Sequence, residues 1–268
     1  MTFNTILYDE IDEKIAIITM NRPERRNAIN KEMIVEMSRA FHKAEENEAI
    51  RVIILKGNGP CFSAGHDLSP DEEYPDTSDD RIKFERKYYF DESLYIRNLR
   101  KPVIAQIHSH CIAAALALAT MADILIASDD AIFSDPVVRM GANSQELMIL
   151  PWVVGEKKAK ELLFTGDPFT VDEAYRLGMI NQIVPREQLD EKVLELARKI
   201  SYMPPLAVSL VKESINNTMD IMGYTNAMKM HFSSHLLSHS TDEIHEGMAK
   251  SKRRDLKAFF EKRDKDFK

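Results

Sequence analysis

KPVIAQIHSHCIAAALALATMADILIASDDAIFSDP, residues 101–136, decides how the chain is read. It opens on a short apolar run, crosses a polar turn, enters a helix apolar all round and closes on a second apolar run. This pattern predicts a buried strand, a tight turn, a buried helix and another buried strand. The turn is the unusual part, because His108, Ser109 and His110 lead into Ala113, Ala114 and Ala115. The first N–H groups of a helix have no partner within it and carry the positive end of its dipole. A helix that starts at the end of a buried strand can therefore hold a carbonyl oxygen, a phosphate or a developing oxyanion. Alanine side chains let a ligand approach that backbone closely.

Upstream, residues 6–20 alternate apolar and polar around 9–13, which predicts a hairpin at a sheet edge. The polar loop NRPERRNAIN follows, then an amphipathic helix, Lys31–Glu46, with Met33, Met37, Ala40, Phe41 and Ala44 on one stripe. Residues 51–56 (RVIILK) predict a buried strand, 57–80 a long loop and 81–99 a helix. Long loops inside a compact domain tend to carry function. Downstream, 123–128 reads as a strand and 141–155 as an irregular stretch holding the single tryptophan, Trp152. Helices are predicted at 156–164 and 187–200. Thr170 and Glu173 suit a capping box before Gly178, and 181–184 is strand-like. After Pro204 and Pro205 only helices are predicted, the last capped by Ser240 and Glu243. The expected division is a β/α core over 1–200 and a helical region over 201–268.

With 268 residues, 44% hydrophobic and 29% charged, the chain has the composition of a soluble globular protein. A net charge of −7 argues against a nucleic-acid or anionic-membrane binder. No run reaches the about 18 apolar residues that span a bilayer. MTFNTILYDE lacks the basic and apolar regions of a secretory signal. Cys61 and Cys111 are read as small buried thiols, and a cytoplasmic location is expected.

Taken in order, NRPERRNAIN, CFSAGHDL, residues 101–128, FSDPVVRMG, KELLFTGDPFTVDEAYRLGMINQIVP and a terminal EKR resemble the enoyl-CoA hydratase/isomerase (crotonase) family. The resemblance implies an α/β fold, a spiral of repeated ββα units with a C-terminal helical trimerisation region. It also implies an acyl-CoA thioester partner and assembly as a homotrimer or a hexamer. No separate cofactor or metal is expected, because coenzyme A is part of the substrate. The shared chemistry is stabilisation of a thioester enolate by two backbone N–H groups. These map to His66 and Ala114. Losing one such donor typically costs roughly 3–4 kcal/mol of barrier. By the same resemblance, Arg25, Ala28, Ala64, His66, Asp67, Leu68 and Ala114 bind substrate. A basic excess in 250–268, nine Lys/Arg against four Asp/Glu, suits the CoA phosphates or is a solvated helix face.

Two positions depart from the hydratase pattern. Ala117 and Val137 stand where the resemblance implies the glutamates that deliver water and a proton. His66 and Glu146 are the candidates to replace them, the second through a shortened loop after Gly141. Asp67 and Asp135 are read as loop-ordering carboxylates. His231, His235 and His239 share one helix face at a spacing that suits a metal, but no carboxylate motif accompanies them. They are read as structural or surface histidines. Met148, Leu150 and Trp152 suggest an apolar pocket. The expected activity is that of the family. Decarboxylation of a malonyl-type ester, thioester hydrolysis and acyl-CoA binding without catalysis are the alternatives.

Overall fold

The N-terminal hairpin sets the edge of the main sheet in a computed structural model of the chain, which describes residues 2–245 apart from 70, 71, 73, 74 and 76. Strands β1 (Ile6–Ile11) and β2 (Ile15–Met20) pair antiparallel. Asp12 and Glu13 turn the corner at φ 53° and 57°, the positive-φ geometry whose twist matches that of a hairpin. Helix α1 (Lys31–Glu46) has the predicted bounds, and the Asn30 side chain caps it by accepting from Met33 N at 3.0 Å. Strand β3 (Val52–Gly57) leads through a long loop to α2 (Ser78–Glu85), a π-helical stretch (Arg86–Asp91) and α3 (Glu92–Asn98).

The segment 101–136 forms β4 (Val103–Ile107), β5 (His110–Ile112), α4 (Ala114–Thr120), β6 (Ile124–Ser128) and β7 (Ile132–Ser134). The short strands β5 and β7 were not anticipated. Three residues are too few for alternation to register, and their partners are remote in sequence. A 3₁₀ turn (Val137–Met140), α5 (Leu150–Val153), α6 (Glu156–Thr165), β8 (Phe169–Thr170), α7 (Val171–Arg176) and β9 (Gln182–Val184) follow. Helices α8 (Leu189–Ser201), α9 (Pro205–Ile221) and α10 (Tyr224–Ser238) come next. The helix beginning near 242 is capped by the Thr241 hydroxyl, which accepts from Ile244 N at 3.4 Å, while the Ser240 hydroxyl bonds back to Leu237 O. The predicted Ser240 cap is thus one residue early. The basic segment 250–268 lies outside the described residues.

One sheet runs β1-β2-β3-β4-β6-β9, parallel beyond the first hairpin; the other runs β5-β7-β8. The alternation of the parallel strands is what sorts the core. Ile15, Val52, Ile54, Ile104, Ile126 and Val184 face α8 through Leu189, Val193 and Ala197. The intervening Ile18, Ile53, Leu55, Ala105, Ile107 and Ala127 face the larger core that includes Phe41 of α1 and Ala115 of α4. The mixed α/β spiral and helical C-terminal region are those that the resemblance implied.

Single-residue bridges link the turns of the spiral, Ile29 to His66 and Ser63 to Cys111. They lay 27–29, 63–67, 111–114 and 133–135 side by side. Asn27 is the clamp. It is buried at φ 52°, and its Nδ2 donates to the carbonyls of Asn58, Cys61 and Phe62 at 2.8–3.1 Å. The Ser63 hydroxyl donates back to Asn27 O at 2.7 Å.

Candidate active site

The bridging pattern decides which way the His66 backbone points. Ile29 N donates to Gly65 O at 2.8 Å, and Asp67 N donates to Ile29 O at 3.0 Å. Those bonds use the neighbours of His66, so in a parallel bridge its own N–H faces the other side. On that other side is the start of α4. A Cβ built on Gly65 would lie 3.4 Å from Ala114 N and 2.7 Å from Ile112 O. Only glycine permits so close an approach, and Gly65 also sits at φ +88°. Ala114 leads its helix, after Ala113 N has bonded to Ser134 O at 2.8 Å and Ala113 O has taken the first helical donors, Leu116 N and Ala117 N. Neither His66 N–H nor Ala114 N–H meets an acceptor among the described residues.

Ala113 is held at φ 55°, ψ −120°, a region that L-residues other than glycine rarely enter. Such backbone strain costs about 1–3 kcal/mol and collects at functional sites.

The His66 ring packs on Tyr89 with centroids 4.1 Å apart, and its Nε2 lies 2.8 Å from Glu146 Oε1. Burial alone would raise the Glu146 pKa. The charge and hydrogen bond of His66 more than reverse this, and it is held down at about 2. An ionised carboxylate only accepts, so His66 Nε2 carries the shared hydrogen. Its Nδ1 is buried with no hydrogen-bond partner among the described residues.

Glu146 owes its place to a buried relay. Asp135 accepts from the Ser144 hydroxyl at 2.5 Å and from Gln145 Nε2 at 3.3 Å. Burial pushes its carboxyl up, against those hydrogen bonds. From the other side His231 Nε2 meets Gln145 O at 2.6 Å and His235 Nδ1 meets Ser144 O at 3.1 Å. His231 and His235 are therefore buried loop holders; neither is a surface residue. Asp67 orders its loop, accepting from Ser69 N at 2.9 Å and pairing with Arg22 at 2.9 Å. Burial raises the Asp67 pKa, and the bonds to Ser69 and Arg22 outweigh it and lower it.

A cavity of about 270 Å³ collects these groups, lined by His66, Glu146, Tyr89, Ala113 and Val137 among others. A narrow cleft of about 20 Å³ beside it joins His66, Ala114, Ala117 and Glu146. Ala64 and Leu68 also line the larger cavity. Exposed Arg25 and half-buried Ala28 sit on the adjoining strip, where Ala28 N bonds Arg25 O and Ala64 N bonds Arg26 O. Thus His66, Ala114 and Glu146 come together, while Arg25 lies at the rim. Met148 and Leu150 line a separate small cleft with Ala117. Trp152 does not join them; it packs on Tyr224, centroids 5.1 Å apart. Cys61 and Cys111 are buried free thiols, both pushed up by burial. Asn27, Tyr89 and Glu85 were missed by sequence reading. Asn27 lay within the quoted NRPERRNAIN motif, and its neighbours gave no sign of the carbonyls it would bridge.

Comparison with known proteins gives the family. Residues 10–268 match the family model described as enoyl-CoA hydratase/isomerase. A Mycobacterium tuberculosis protein named as an enoyl-CoA hydratase, EchA13, is 39% identical over 259 residues, covering 89% of this chain and 81% of that protein. A solved Mycobacterium smegmatis structure described as an enoyl-CoA hydratase shares 42% identity at TM-score 0.84, covering 88% of this chain and 94% of the other. An enoyl-CoA hydratase/isomerase from Xanthobacter autotrophicus Py2 superimposes over 100% of both chains at TM-score 0.89 and 31% identity. With the spiral fold, the matched length and these identities in agreement, the chain is an enzyme of the enoyl-CoA hydratase/isomerase family.

Proposed function

We propose that the protein binds an acyl-CoA thioester and stabilises its enolate between the N–H groups of His66 and Ala114. The observation that carries this reading is the packing of Gly65 against the start of α4, which brings the His66 and Ala114 backbones, whose N–H groups have no acceptor among the described residues, to one narrow cleft. Backbone donors fixed in this way stabilise charge as it develops without reorganising. Their strength does not depend on the side chains at 66 and 114.

The proton chemistry falls to the His66–Glu146 pair, because Ala117 and Val137 cannot transfer protons. A carboxylate held at about 2 is a poor base near neutrality. That favours a second reading within the same class, decarboxylation of a malonyl-type ester. There the bond to the departing carboxylate breaks, its electron pair becomes the enolate and CO₂ leaves. The α-carbon then takes a proton from the His66 side chain, which lines the same cavity. Thioester hydrolysis and binding without catalysis remain distinct outcomes of the same test.

Incubating the protein with enoyl-, acyl- and malonyl-CoA esters in D₂O, with products read by mass spectrometry, separates them. Hydration adds water, decarboxylation loses CO₂, hydrolysis frees CoA, and enolate formation alone appears as α-deuterium uptake. Binding with no exchange on any ester would sink the catalytic reading. Undiminished turnover in His66→Ala would remove that side chain from the mechanism.

Coenzyme A enters as part of the substrate, so the reading needs no separate cofactor. Assembly as a homotrimer or a dimer of trimers fits the exposed apolar face of α9, where Leu206, Leu210, Val211 and Ile215 are 51–70% exposed. Among the described residues no helix is long and apolar enough to cross a membrane, and a cytoplasmic location fits the proposed substrate.

A further inference from the structure

Three side chains that the proposed mechanism does not use converge on the same cavity. Glu85 ends α2, and His235 and His239 lie one turn apart at the end of α10. Their donor atoms crowd together, one from each residue lying within 4.8 Å of the others. His235 Nε2 is 3.0 Å from His239 Nε2 and 3.4 Å from Glu85 Oε2, and His239 Nε2 is 3.5 Å from the other carboxylate oxygen, Oε1. A tetrahedral cation with bonds of about 2.0–2.1 Å sets its ligand atoms roughly 3.3 Å apart.

With both rings neutral this cluster is short of a positive centre, which a proton on one ring or a metal cation would supply. His235 Nδ1 faces the Ser144 carbonyl at 3.1 Å. A carbonyl only accepts, so Nδ1 carries the hydrogen and Nε2 of the neutral ring is a bare lone pair. That lone pair points at His239 Nε2. A single hydrogen on His239 Nε2 would satisfy the two rings and leave Glu85 Oε2 with nothing. Glu85 Oε1 accepts from Arg81 Nε at 3.0 Å, but Oε2 is buried with no hydrogen-bond partner among the described residues. One divalent cation would satisfy both nitrogens and Oε2 together. The carbonyl that fixes the His235 tautomer is the outer partner metal-binding histidines commonly have.

We propose that Glu85, His235 and His239 form a site for a divalent transition cation of the Zn²⁺ type. Two imidazoles with one carboxylate suit such an ion, whereas Mg²⁺ and Ca²⁺ select oxygen ligands. Three protein ligands leave a fourth position for an oxygen ligand. It opens into the cavity that His66 and Glu146 also line. The site stands on its own geometry and does not depend on the oxyanion assignment.

The test uses the full chain, stripped with a chelator and titrated with Co²⁺, which absorbs visibly when four-coordinate. The expected result is one equivalent bound per chain, displaced by Zn²⁺. Changing an outer partner of a metal ligand costs about 10–100-fold in affinity. Removing a direct ligand, by Glu85→Gln or His239→Ala, should weaken Co²⁺ binding by on the order of 100-fold or more. His110→Ala, an exposed histidine outside the cavity, should bind as the parent does. If a ligand variant fails to fold, the melting temperature of the parent chain decides. A rise with added Zn²⁺ that EDTA reverses supports the site. A folded parent chain that takes up less than one Co²⁺ and is not stabilised by Zn²⁺ overturns it. So does parental affinity in either ligand variant.

Discussion

The cavity has two walls of opposite character. One is built by Ala113, Val137, Met140, Ala142 and Ile244, which pack on one another as a small apolar cluster. The other carries His66, Arg81, Glu85, Glu146, His235 and His239. The dry wall comes from segments next to α4 and β7, where the hydratase pattern implies carboxylates. The polar wall is assembled from the loop at 63–68, α2, the loop at 144–146 and the end of α10, four segments spread along the chain. The titratable groups thus gather on the elements that face the start of α4. In the proposed reading binding geometry and proton chemistry are separable, since backbone donors would fix the first and any side chain that reaches the cavity could serve the second.

The largest effect expected from breaking this contrast is at Glu146. Glu146→Gln keeps the shape and removes the charge that pairs with His66. General acid–base contributions run to about 10²–10⁴-fold, so kcat on the accepted ester should fall within that range. A change of only a few-fold would take the pair out of the chemistry. The same variant has a pH signature. Glu146 is depressed from 4.5 to about 2. The stability it contributes is therefore fully present above about 4.5 and is lost as the pH falls through about 2. Urea denaturation of parent and variant should show a gap that is constant near neutrality and closes across that window. A gap that persists at low pH would mean the carboxylate is not the source.

Gly65→Ala strikes the shared backbone. Its methyl would press into Ile112 O at a positive φ and push residues 65–66 away from α4. Loss of one oxyanion donor typically costs about 10²–10³ in kcat, and a fall of that order is expected with substrate binding less affected. Parental kcat would show that the close approach of Gly65 is not needed.

Ala117→Glu asks whether α4 can accept the carboxylate that the hydratase pattern implies. The clefts beside Ala117 hold about 20 Å³ each, far less than a glutamate side chain requires. Overpacking costs about 1–3 kcal/mol before any charge is buried. A loss of about 3 kcal/mol in urea denaturation, with no gain of water addition to enoyl-CoA, is expected. A stable variant that hydrates would mean that the site kept room for the older chemistry.

These contrasts also explain what the sequence could tell. The main sheet, α1, α8 and the hairpin were legible because each carries a local period, and burial follows that period residue by residue. The pairing of His66 with Ala114 came through the family pattern; neither residue type suggests it. The strands β5 and β7 were hidden because three residues carry no usable alternation. Glu85 was hidden for a different reason. On α2 it is one acidic residue among several, and only the tertiary fold brings it to His235 and His239. Spacing along one helix finds two ligands at i and i+4. It cannot find a third that arrives from another element.

The smallest effect is the most local, at Ala113. This residue links β5 to α4 and turns the chain so that Ala114 N–H faces Gly65. Its φ of 55° and ψ of −120° crowd the Cβ against its own backbone, a cost of about 1–3 kcal/mol. Glycine adopts that conformation without the clash but loses more entropy on folding, which offsets part of the gain. Ala113→Gly should therefore raise stability by about 1 kcal/mol, read as a shift in the urea midpoint at unchanged slope. Because the native geometry is already the strained one, kcat should stay within a few-fold of the parent. If stability rises and turnover collapses, the methyl group itself holds the donor in place, and the strain belongs to the mechanism. If stability falls, the surrounding β5–β7 pairing imposes less strain on this turn than its dihedral angles imply.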